Sequence, residues 1–236
     1  MAGIIKEHHI KPSFDALPAT RQGVVENSFK NADANILKVV ECFSNNLNVD
    51  RCRKTMNPDG QFVTEISHYT ESDNTIYMDE TKDNEEYAIT FRHEYGHFTD
   101  AQLNRPSMDG IFTEAITADC DWYNTTYDDG LNNLNIMLDE LENSDVLDSR
   151  YLSDILSGMF RNDPIIVETY YRNGVAFYHH TDTYWDGITG PPMAVEREIF
   201  ANLFGIYSEN DEAVVSFVEK YFPNITARFK KALEVV

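Results

Sequence analysis

Apolar residues recur at helical spacing through much of the chain. Ile36, Val40, Phe43 and Leu47 share one face, which predicts a helix over Val24 to Leu47. Asn57-Pro58-Asp59-Gly60 reads as a turn. The pattern then turns strand-like. Gln61 to His68 and Thr75 to Asp79 read as two strands of a hairpin, with Glu71-Ser72-Asp73-Asn74 between them. A helix follows from Asn84 to Leu103 and is ended by Asn104-Arg105-Pro106. Residues 107–162 read as helical and acidic, with Leu138, Leu141, Leu152, Ile155, Leu156 and Met159 as core positions. Residues 164–192 read as irregular and aromatic. A helix is expected from Met193 to Ser208, then two helical pieces, 211–222 and 224–235, divided by Pro223.

Residues 1–22, with Pro12 and Pro18, read as an extended arm. No repeat, low-complexity tract or linker divides the rest, so 23–236 is expected to form a single α+β domain, mainly helical with a small sheet. At 42% hydrophobic and 12% aromatic, the 236 residues suffice for a packed core. The net charge of −21 argues against nucleic acid and against an anionic membrane surface as partners. No apolar run is long enough for a membrane span, and the first residues lack the apolar segment of a secretory signal. Cys42, Cys52 and Cys120 are odd in number and lack C-x-x-C spacing, so no disulfide framework or cysteine metal site is expected. A cytoplasmic or virion-associated protein fits this composition.

The chemistry concentrates in His93-Glu94-Tyr95-Gly96-His97, an H-E-x-x-H run inside an expected helix. Residues four apart lie one above the other on a helix, so His93 and His97 can share one Zn²⁺. Glu94 can then take a proton from a metal-bound water. Two histidines with ordinary roles would also fit that spacing; the preceding hairpin favours a site. A catalytic zinc needs a third protein ligand. The continuation H-x-x-G-x-x-H fails here, with Asp100 and Leu103 at its key positions. Glu114 and Glu198 are the candidate acids. On the second of the two helices Val195, Ile199, Leu203 and Ile206 form the apolar stripe, and Glu198 and Asn202 lie beside it, one turn apart. Asn202 could accept the N–H of a ligating histidine and set its tautomer.

The run His93 to Asp100, paired with Glu198-x-Phe200-Ala201-x-x-Phe204, resembles the catalytic domain of anthrax lethal factor. It is also similar to the metallopeptidase-like domain of phage minor head proteins, the Mu F-like group. That group is further resembled by Leu152-Ser153-Asp154-Ile155-Leu156, His180-x-x-x-Tyr184-Trp185 and Lys220-Tyr221-Phe222-Pro223-Asn224. The resemblance implies a zincin-like fold and a zinc endopeptidase. One Zn²⁺ per chain would be held by His93, His97 and Glu198, with Glu94 as general base. It also implies a protein or peptide substrate, and phage head or portal components as partners. Asn202 stands where such proteins usually have an acid. Pro191 stands where the lethal-factor type has a tyrosine, so the oxyanion donor would pass to Tyr184 or Tyr178, with His180 as a further choice.

A substrate strand is expected to add to a sheet edge at Ile76, Tyr77 and Met78. The acidic total points to a basic or neutral peptide. Three other readings share the same residues. One is a structural or injected virion protein whose zinc site is vestigial or only structural. A second is a secreted or injected toxin, and a third is a zinc hydrolase of non-peptide amides.

Overall fold

A computed structural model of the chain describes residues 19–56, 59–123, 133–161 and 163–234. The chain is mostly helical with a small sheet, an α+β arrangement. Residues 1–18 of the expected arm lie outside the described residues, and its last positions belong to a helix, α1 (Ala19–Ser28). The turn at Asn57 and Pro58 also lies outside them.

The helix expected over Val24 to Leu47 is two helices. Asp33 interrupts it, accepting from the Asn35 N–H as the N-cap of α2 (Ala34–Phe43), whose Ile36, Val39 and Val40 are buried. Capping satisfies amide groups that a continuous helix would have used, so the local hydrogen bond outweighs the apolar stripe.

Five short strands follow: β1 (Asn48–Arg51), β2 (Lys54–Met56), β3 (Phe62–Thr64), β4 (His68–Thr70) and β5 (Thr75–Met78). The run Gln61 to His68 divides between two partners. Its first half, β3, pairs backwards with β2 as a separate antiparallel ribbon. The hairpin with β5 is made by β4, which places Tyr69 opposite Ile76. The turn at 71–74 is where the sequence puts it, with Asn74 in the left-handed region at φ 51°. β1 then pairs parallel to β5 on the other side, giving the order β1-β5-β4. Ile76 and Met78 are fully buried in that middle strand.

α3 (Asn84–Gln102) packs across the sheet. Asp83 caps it by accepting from Glu86 N–H, and left-handed Asn104 and Arg105 close its far end before Pro106. Its residues sort by face. Tyr87, Phe91, Tyr95 and Phe98 enter the core, where Tyr95 stacks on Phe204 at 5.5 Å. His93, Glu94 and His97 line a cleft, and Gly96 meets another helix.

The acidic middle forms α4 (Gly110–Tyr123), α5 (Asn133–Glu142) and α6 (Arg150–Phe160). All six of its expected core residues are buried. The stretch expected to be irregular holds α7 (Pro164–Arg172), started by Asp163 and Pro164, and the short α8 (Asp182–Trp185). α9 (Ala194–Glu209) lies against both α3 and α6. α10 (Glu212–Tyr221) and α11 (Pro223–Leu233) complete the chain, with Pro223 in the first turn of α11.

Candidate metal centre

α3 and α9 bring three side chains to one point. His93 Nε2 lies 3.1 Å and His97 Nε2 3.4 Å from the same oxygen, Glu198 Oε2. The imidazole rings stand perpendicular, with centroids 4.8 Å apart. Ligands roughly 2.1 Å from a tetrahedral zinc are themselves about 3.4 Å apart, so three donors at these spacings could hold such an ion. Glu198 is buried, whereas Glu114 is exposed on α4. Of the two acids that the sequence offers, the fold brings Glu198 to the histidines.

The hydrogen bonds behind His93 decide what its ring offers. Asn202 Nδ2 donates to Asp154 Oδ2 at 2.8 Å. That leaves Asn202 Oδ1 to accept from His93 Nδ1 at 3.0 Å. With its proton on Nδ1, a neutral imidazole presents a bare lone pair at Nε2. The lone pair faces a carboxylate oxygen that is buried without a well-formed hydrogen bond. Two acceptors so close repel unless a cation or a proton lies between them. The donor set, two imidazole nitrogens and one carboxylate oxygen, suits Zn²⁺.

Without a metal, a proton takes that role. Burial opposes the imidazolium of His93, but Glu198 outweighs it and lifts the ring to about 10. Burial likewise favours the neutral acid at Glu198, yet His97 and His93 hold it well below the usual carboxylate range.

Glu94 is buried beside them. Its Oε2 accepts from the backbone N–H of Tyr69 on β4 at 2.9 Å. Burial raises its carboxyl against the opposing pull of His93 and His97. A carboxylate raised in this way is suited to accept a proton and release it again.

Tyr184 reaches the site from α8 and donates its hydroxyl to Glu198 Oε1. Burial and then Glu198 push its phenol upward, so it stays a donor. Gly190 folds beneath it, leaving no room for a Cβ, which would lie 2.4 Å from Tyr184 O. His180 stacks on the Tyr184 ring, centroids 3.9 Å apart, with Nε2 3.8 Å from Glu198 Oε2. Tyr178 is tied elsewhere: its backbone bonds Ser153 and its ring lies under Arg150. Pro191 lines the cleft but has no hydrogen-bond donor to offer there.

The sheet corrects one expectation. Ile76, Tyr77 and Met78 lie in the middle strand and present no free edge. The outer strand beside the histidines is β4, and His68 and Tyr69 line the cleft. The buried Asp154 was not among the expected site residues. It accepts from Asn202 and lies 3.9 Å from His180 Nε2, linking the two sides of the site. Its signal was present in Leu152-Ser153-Asp154-Ile155-Leu156, an acid inside an otherwise apolar helical run.

The cleft over these groups has a volume of about 470 Å³ and adjoins a second of about 420 Å³. Among the described residues no helix is long and apolar enough to cross a membrane. No family model, curated protein or solved structure matches the chain.

Proposed function

We propose that this protein is a zinc-dependent endopeptidase with a zincin-like active site. The observation that carries the reading is the convergence of His93 Nε2, His97 Nε2 and Glu198 Oε2, with Glu94 beside them at an open cleft. A zinc ion held by His93, His97 and Glu198 would supply Lewis acidity there, for the peptide carbonyl and for the attacking water.

The chain's own residues divide the remaining work. Glu94 takes the proton of the attacking water and passes it to the leaving amine. Tyr69 N–H keeps its carboxylate turned into the cleft. Asn202 fixes the His93 tautomer, so that Nε2 and not Nδ1 faces Glu198. Tyr184 is the nearest phenolic donor to the ligands, and on substrate binding its hydroxyl would turn from Glu198 to the developing oxyanion. His180, packed on that ring, steadies it. An extended substrate would lie along β4, the outer strand beside the histidines.

The resemblance to phage minor head proteins and to a toxin domain supports a phage- or toxin-associated setting for this activity. Elemental analysis tests the metal: about one zinc per chain is expected in the parent and in Glu114→Ala, and none in Glu198→Ala. Incubation with a denatured protein mixture then tests the reaction. Zinc-dependent cleavage that disappears in Glu94→Gln is expected. A zinc-loaded protein that cuts no bond in any of a broad set of proteins would turn the reading to a structural site.

A further inference from the structure

Arg197 precedes Glu198 on α9 and lines the same cleft as Glu94 and His97. It is half-buried, and among the described residues its guanidinium makes no ion pair or hydrogen bond. The other described arginines that are not fully exposed, Arg21, Arg92, Arg150 and Arg228, each meet a carboxylate. In a chain with 40 acidic and 19 basic residues, a partly buried arginine left unpaired is unusual. A guanidinium that faces a cleft with no carboxylate beside it is free to pair with one that a ligand brings.

Nearby acids do not supply the partner. Glu198 is committed to the histidines and Tyr184, and Glu94 to Tyr69 N–H. Asp100, which feels the Arg197 field, has both oxygens held by Ser107, at 3.0 Å from N–H and 2.6 Å from Oγ. The adjoining cleft contrasts with this. There Arg150 and Lys82 both turn to Glu86, so each cation has a carboxylate partner within the protein.

We infer that Arg197 selects ligands bearing a carboxylate, either an acidic side chain or a free C-terminus, next to the bond held over the metal centre. The inference rests on the peptidase reading for the ligand being a peptide. A planar guanidinium fork matches a carboxylate with two parallel hydrogen bonds. The selection runs opposite to the net charge of −21, because a local unpaired cation inside a cleft outweighs distant, screened surface acids.

Fluorescence anisotropy of short labelled peptides tests this on the zinc-loaded protein. The peptides differ only in Asp against Asn at each position, and in a free against an amidated C-terminus. The parent should bind a carboxylate form about tenfold or more tighter than its neutral counterpart. The arm in which that preference arises tells an internal acid from a terminal carboxylate. The preference should vanish in Arg197→Gln and survive in part in Arg197→Lys. If Arg197→Gln does not fold, Arg197→Met serves the same comparison. No carboxylate preference in the parent, or an equal one without the arginine, overturns the inference. Cleavage of the same peptides is scored separately. A carboxylate preference, together with no cleavage in the broad protein set above, would reject the peptidase reading and leave the anion site standing.

Discussion

Gly96 and Ala201 meet backbone to backbone: a Cβ on Gly96 would lie 2.6 Å from Ala201 Cα and 2.8 Å from its carbonyl oxygen. This contact sets the approach of α3 to α9, and with it the distance from the two histidines to Glu198. Gly96→Ala must push the helices apart. A destabilisation of about 1–3 kcal/mol is expected from such overpacking. Zinc affinity should fall at least about tenfold, because the carboxylate moves off the ligand point. Chemical denaturation and a zinc titration on the same variant check both effects.

Asp154 anchors Asn202, which in turn orients His93. Asp154→Ala should leave the fold in place and weaken zinc by about 10–100-fold, the usual cost of losing an outer partner. Asp154→Asn keeps an acceptor for Asn202 and should recover part of that loss. Competition with a chelator measures the affinities, and equal affinity in all three proteins would remove Asp154 from the site.

In the proposed centre zinc and the proton would compete for one place, which fixes the sign of a pH effect. In the metal-stripped protein His93 is raised from 6.5 to about 10 by Glu198, overcoming burial. Its contribution to stability is therefore complete below 6.5 and lost as pH rises through about 10. The thermal midpoint of the stripped protein should fall across this range. With zinc the trend reverses, since metal binding requires the deprotonated ring. Thermal melts at several pH values, with zinc and with chelator, give the two slopes.

Tyr184→Phe removes the hydroxyl but keeps the ring on which His180 stacks. Zinc content should remain near that of the parent, while peptide turnover falls about 100-fold or more, as for the loss of an oxyanion donor. An unchanged kcat would limit Tyr184 to steadying Glu198.

Far from the cleft, Asp119 on α4 accepts from Asn224 N–H and side chain and from Ile225 N–H, closing the start of α11, which has no cap of its own. Asp119→Ala should cost about 1–3 kcal/mol of stability with no change in zinc affinity. The pair of measurements separates damage to the scaffold from damage to the site.

Local order along the chain was enough to find α3 and α9 nearly to the residue, the turn at 71–74, and H-E-x-x-H with its helical spacing. These features depend on neighbours a few positions apart, through helical periodicity, caps and turn residues. The same local reading joined the end of α1 to α2, although residues 29–33 leave the helix and Asp33 caps α2 anew. It also took β5 for an edge. A parallel partner, β1, comes from earlier in the chain, and no pattern within β5 announces it. Whether Glu114 or Glu198 joins the histidines, that Asp154 stands behind Asn202, and that Arg197 lacks a partner were decided by packing. Each depends on which helices touch, and in this chain the close approach of Gly96 to Ala201 settles the most consequential of those contacts.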